Sequence, residues 1–327
     1  MNVAIIGCGL IGSKRAKELS ACNLVVCADK VLSQAQKLAG FYPQCTATDD
    51  WQQITNMHEV DIVIIATPHN SLAEITLAFV RSGKHVLVEK PAACLASDLD
   101  IIIEEAKKNN VLVRVGFNHR YHRALRKAKA IINDGLIGEL MFLRARYGHG
   151  GRVGYDREWR AIPELSGGGE LIDQGMHLID LARWYLGDFA HIDGFANTYF
   201  WDMPVDDNGF LLLKTAKKQV AFLHASCTEW KNLFSFEIYG KFGKLDINGL
   251  GGSYGVERLT FYKMSAEMGP PETTIWEYPM ADDSWKVEFN EFLEDIKLNR
   301  QPEAGLKDAR AALQIVEKVT NNKVTTG

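Results

Sequence analysis

The sequence is poor in features that would place it quickly, and each absence excludes something. The net charge is only −4 over 327 residues, so there is no basic field for nucleic acid and none for an acidic membrane surface. Apolar runs such as residues 62–66 fall far short of the roughly 20 residues that span a bilayer. The six cysteines, Cys8, Cys22, Cys27, Cys45, Cys94 and Cys227, never form Cys-x-x-Cys. A disulfide framework is therefore not expected, and free thiols in a reducing compartment are. Nothing before Gly7 resembles a basic start, a long apolar core and a small-residue cleavage site. A cytoplasmic chain is the expectation. Internal repeats and low-complexity segments are also missing.

What is present is length enough for two cores and a change of pattern near residue 120. Before it, β-branched runs at 3–6, 24–28, 61–66, 85–88 and 111–116 alternate with amphipathic stretches at 13–20, 33–39, 71–82 and 97–108. Such alternation predicts an α/β fold, a doubly wound parallel sheet with helices on both faces. After it come a helix over 124–132, a strand over 140–147, a glycine- and arginine-rich loop over 148–169, and a helix over 170–186 closed by Gly187. Longer alternating strands fill 192–278, predicting a large, mainly antiparallel open sheet with one exposed face. Two helices follow, near 284–298 and 306–320. The expected domains are 1–120, α/β, and 121–327, α+β.

Gly7-Cys8-Gly9-Leu10-Ile11-Gly12 follows the first strand and opens a helix, the context in which Gly-x-Gly-x-x-Gly carries meaning. The first glycine permits the turn, the second lets backbone approach a pyrophosphate, and the third allows close packing of helix on strand. Asp29 ends the second strand about twenty residues on, where a carboxylate accepts bonds from a ribose 2′-hydroxyl and repels a 2′-phosphate. Lys30 beside it softens that discrimination. NAD is favoured, and NADP stays open.

Lys90, in Glu89-Lys90-Pro91, follows the strand at 85–88. A lysine at a strand's carboxyl end is either solvated or placed to polarise a substrate oxygen. Asp173 and His177 lie four residues apart, on one face of a helix. A carboxylate beside a histidine suits a general base, because it sets the tautomer and supports the imidazolium. An exposed ion pair is the plainer alternative. No metal site is expected, since no further ligands stand at the right spacing.

Taken with Ala66-Thr67-Pro68, residues 83–91 and the Gly168-Gly169 to His177 segment, the chain resembles the glucose–fructose oxidoreductase, inositol dehydrogenase and MocA family over nearly its whole length. The resemblance implies a Rossmann domain followed by a domain whose open sheet makes homodimers or homotetramers. It implies a catalytic group of Lys90, Asp173 and His177, and cofactor contacts from Gly7, Gly9, Leu10, Ile11, Gly12, Asp29, Lys30, Thr67, Pro68, Glu89 and Lys90. Asn118, Arg120 and Tyr121 match a segment that borders the substrate, with packing an equal alternative. One departure is Leu72, where many relatives carry a histidine; His69 and Asn70 stand nearer the proline.

The implied substrate is a sugar, cyclitol or nucleotide sugar, and the reaction a hydride transfer with NAD(P). His177 takes the hydroxyl proton, Lys90 polarises the oxygen and Asp173 orients them. Arg157, Trp159 and Arg160 in the 148–169 loop, with Arg144, Arg146 and Arg152 near them, suggest an aromatic platform and forks for an anionic sugar. Asp156 and Glu158 offset part of that charge. An NADPH-dependent sugar ketoreductase and a non-catalytic dinucleotide-binding regulator are the alternatives.

Overall fold

The computed structural model describes residues 1–321, and these divide into two compact units, each drawn from separate stretches of chain. Met1–Phe117, Glu164–Gly167 and Trp285–Leu313 form the first unit. Asn118–Pro163, Gly168–Ser284 and the residues from Gln314 onward form the second.

The first unit holds a six-stranded sheet of β1 (Asn2–Ile6), β2 (Asn23–Ala28), β3 (Thr46–Thr48), β4 (Ile62–Ile65), β5 (His85–Glu89) and β6 (Val113–Gly116). Their order is β3-β2-β1-β4-β5-β6, and every pairing is parallel. This is the expected doubly wound sheet; its order reverses beside β1, where such sheets bind ligands at the carboxyl ends of their strands. The short edge strand β3 was not expected, because three residues are too few to show a period. Helices α1 (Leu10–Lys17), α2 (Leu32–Ala39), α3 (His69–Arg81) and α4 (Asp98–Lys108) connect the strands. Every residue of β4 is fully buried, as its unbroken apolar run requires. The core of Val3, Ile5, Ile64 and Leu87 is completed by Phe289 and Phe292 from the Ser284–Leu298 helix.

The second unit is built on an eight-stranded sheet: β7 (Leu140–Gly148), β8 (Phe189–Asn197), β9 (Asn208–Thr215), β10 (Val220–Ser226), β11 (Leu233–Gly240), β12 (Gly243–Asn248), β13 (Glu257–Lys263) and β14 (Glu272–Tyr278). It runs β14-β13-β12-β11-β7-β10-β9-β8, and only the β7–β10 pair is parallel. Helices α5 (Arg123–Asn133) and α6 (Met176–Leu186) pack on it. Buried and half-buried residues alternate along β11, the mark of a sheet with one covered face. Elsewhere on it Phe195, Leu212 and Phe222 are exposed, with Leu212 and Phe222 paired in register.

One element departs from expectation at a place that matters. The helix expected over 170–186 begins as a π-turn, Leu171–Gly175, and becomes α-helical only with α6. Asp206 shapes this entry by accepting bonds from the Gly169 and Leu171 N–H groups at 3.2 and 2.8 Å. Gly175, with no side chain, leaves room for Leu171, whose Cδ1 would lie 2.8 Å from a Cβ there. Such turns often mark functional positions, and this one carries Asp173.

Candidate active site

The glycine loop is shaped by what it cannot hold. Gly7 has φ +90°, and a Cβ there would fall 2.5 Å from the Ala66 oxygen. At Gly12 a Cβ would fall 1.9 Å from the Gly7 oxygen. Gly9 faces open space, leaving bare backbone for a pyrophosphate to approach. Helix α1 starts there with no side-chain cap and no acid in its first turn, so the N–H groups at Leu10 and Ile11 are left for an anion. These features fit a dinucleotide.

Asp29 braces the loop: its two carboxylate oxygens accept from Cys8 N–H at 2.7 Å and Val31 N–H at 2.9 Å. Each oxygen keeps a lone pair for a ribose hydroxyl. Lys30 beside it is exposed. Thr67, after β4, accepts a bond from the Ser71 hydroxyl at 2.8 Å, and Pro68 precedes α3. The Leu72 side chain is fully buried, and the neighbouring His69 lies with Nδ1 2.8 Å from the Ser166 oxygen. Lys90 follows β5, partly exposed, and meets Pro91 through a cis peptide. Glu89 turns its carboxylate inward to Arg15, 2.8 Å from Nε.

In the second unit Asp173 and His177 are both buried. The Asp173 carboxylate accepts from Arg160 Nε at 2.8 Å, and the Arg160 guanidinium lies 4.6 Å from the Trp159 ring centre. The His177 imidazole is stacked on that of His119, centroids 3.8 Å apart and planes 18° from parallel. Tyr147 packs edge-on against both, and burial holds its phenol well above the usual value. Nearby, Tyr155 donates to Glu170 at 3.4 Å, and burial keeps the His149 imidazole below its ordinary pKa. Asp173 is thus held beside a guanidinium in a buried, poorly hydrated setting.

Other expected residues are placed differently. Arg120 forks onto Asp180, at 2.8 and 2.6 Å, with both side chains buried; that is packing within the second unit. Asn118 donates to the Ser284 hydroxyl at 3.0 Å, and Tyr121 is buried. Arg144 pairs with Glu237 at 2.9 Å and Arg152 with Glu158 at 2.7 Å. Arg157 is 87% exposed, with Asp156 3.9 Å away. It borders a groove of about 580 Å³ together with Phe200, Trp201 and Trp230. The loop's arginines thus meet acids of their own unit, which weakens the case for an anionic sugar. His119 and Tyr147 went unread in the sequence; the one signal for His119 was its place between Asn118 and Arg120.

The description "Oxidoreductase family, NAD-binding Rossmann fold" matches residues 1–117, and "GFO/IDH/MocA C-terminal domain" matches 125–246. A levoglucosan dehydrogenase of Pseudarthrobacter phenanthrenivorans is 28% identical over 230 residues, 66% of this chain and 59% of that protein. The D-glucoside 3-dehydrogenase of Escherichia coli is 33% identical over 193 residues, 57% of this chain and 54% of that one. The chain thus spans under two thirds of the length of these curated relatives. A solved levoglucosan dehydrogenase, in complex with NADH and levoglucosan, aligns over 98% of this chain and 96% of its own, at a TM-score of 0.88 and 22% identity.

Proposed function

We propose, for a chain that belongs to the GFO/IDH/MocA family of oxidoreductases, NAD-dependent oxidation of a secondary alcohol on a sugar or cyclitol, with ketone reduction as its reverse. The observation that carries this is the buried Asp173–His177 group, braced by Arg160 and His119, in a chain whose other unit has a glycine loop shaped for a dinucleotide. Relatives named for levoglucosan, glucosides and inositol support the substrate class. When bound, NAD supplies the hydride acceptor.

His177 takes the proton of the reacting hydroxyl as general base. Asp173 stabilises the imidazolium that results, and Arg160 keeps that carboxylate ionised and aimed. Lys90 donates a hydrogen bond to the same oxygen, stabilising the charge it gains as the proton leaves. Gly9, Leu10 and Ile11 hold the pyrophosphate and Asp29 the ribose, with Thr67 and Pro68 bordering the cofactor. Trp159 and Arg157 line the substrate side. Lys30 favours some tolerance of NADP, and the ratio of NAD to NADP dissociation constants measures it. The exposed Phe195, Leu212 and Phe222 support a homodimer or homotetramer formed through the open sheet. We place the chain in the cytoplasm, consistent with six free thiols.

The test is turnover of levoglucosan, a glucoside and myo-inositol by Lys90→Ala and His177→Asn. Each is expected to lose about a hundredfold or more in kcat while binding NADH normally. Full activity in either would remove that residue from the mechanism.

A further inference from the structure

Beneath Lys90 lies an ion cluster that no step above uses. Arg15, on α1, is fully buried and binds two carboxylates: Glu89 through Nε at 2.8 Å and Glu288 through Nη1. Trp285 covers the guanidinium, 4.3 Å from its carbon to the ring centre. Behind the pair, β6 passes so close that a Cβ at Gly116 would fall 2.7 Å from Arg15 Nη2 and 2.9 Å from Glu89 Oε2. One guanidinium therefore ties together the helix of the glycine loop, the residue before Lys90 and the Ser284–Leu298 helix.

Stability alone is a poor account of this cluster. Two buried carboxylates on one guanidinium gain little over well-packed apolar side chains, and the same helix already holds its place with Phe289 and Phe292. Glu288 is wholly buried with Oε1 lacking a hydrogen-bond partner. Burial pushes its carboxyl up against the pull of Arg15. What the cluster does well is fix position: a forked guanidinium leaves the Glu89 carboxylate little freedom, and Glu89 is bonded directly to Lys90.

We propose that Glu288, seated with Trp285, is a positioning residue that acts through Arg15 and Glu89 to hold the backbone presenting Lys90. This rests on Lys90 acting as proposed above. The test compares kcat, KM for the sugar and the NADH dissociation constant in Glu288→Ala and Glu288→Gln. A displaced lysine lowers kcat by about tenfold to a hundredfold in the alanine variant, with KM and NADH affinity within about threefold. Glutamine, which still accepts from Arg15, restores most of the rate.

Unchanged kcat in a folded Glu288→Ala overturns the proposal, and so does NADH affinity falling as far as kcat. Should that variant not fold, Gly116→Ala presses on the same pair from the β6 side without removing a charge. It is expected to show the same loss of kcat, and an unchanged kcat there also overturns the proposal. Lys90→Ala separates the two ideas. If it is inactive while the Glu288 variants are normal, only the positioning role falls; if it is fully active, the role of Lys90 itself falls.

Discussion

In the first unit the surface for a dinucleotide is made mostly by residues without side chains, while in the second the groups proposed to handle the proton are large, buried and braced by their neighbours. Gly7 and Gly12 leave no space for a side chain, and Gly9 presents bare backbone to open space. Around the proposed pair of Asp173 and His177, three separate segments bring Arg160, His119 and Tyr147 into contact. A binding loop of the first kind tolerates no enlargement at Gly7 or Gly12. A site of the second kind loses function by degrees as its braces are removed.

The sharpest way to break that contrast is Gly12→Val. Its side chain has nowhere to go against the Gly7 oxygen, so NADH binding measured by fluorescence is expected to vanish. Retained binding would mean the loop can be rebuilt, and the contrast would fail. Arg160→Ala comes next. It leaves the base in place but unsupported, and about a tenfold to hundredfold loss in kcat is expected, with NADH affinity unchanged. An unaltered rate would show that Asp173 needs no guanidinium.

The smallest effect belongs to pH. His85 accepts a bond from Leu112 N–H at Nδ1, 3.0 Å away, and burial lowers its pKa. The folded state thus holds the neutral ring while the unfolded chain protonates below about pH 6.5. Stability from this group is complete above that value and is lost as pH falls toward the folded pKa. In His85→Asn the drop in melting temperature between about pH 7 and pH 5 is expected to shrink slightly. An identical drop would show that His85 plays no part in the acid response.

The sheet and glycine loop of the first unit could be read from the sequence apart from β3, for the reason behind the same contrast, whereas the return of residues 285–313 to that unit could not. A tight turn, a close backbone approach and an unbroken apolar strand each demand particular residue types at fixed spacing, so Gly7 to Gly12, Asp29 and Ile62 to Ile65 announce themselves. Asp173 and His177 were visible as a pair four apart. The π-turn that carries Asp173 was not, because Asp206, which shapes it, lies more than thirty residues away. His119 and Glu288 were invisible for a like reason: a stacking partner or buried counter-ion has no period. Arg144 and Arg160 looked like forks for an anion because their acidic partners, Glu237 and Asp173, become neighbours only on folding.

Phe289 and Phe292 have a consequence for how the molecule is made. They finish the core of the first unit, and Glu288 and Asp295 from the same helix neutralise the buried Arg15 and Arg114. The strands of the dinucleotide-binding sheet end at Gly116, yet their interior closes only with side chains more than 170 residues further along the chain. Without that helix Arg15 and Arg114 each lose a buried carboxylate, and the apolar surface that Phe289 and Phe292 cover is left open. A long interval of exposure therefore separates the making of these strands from the closing of their core.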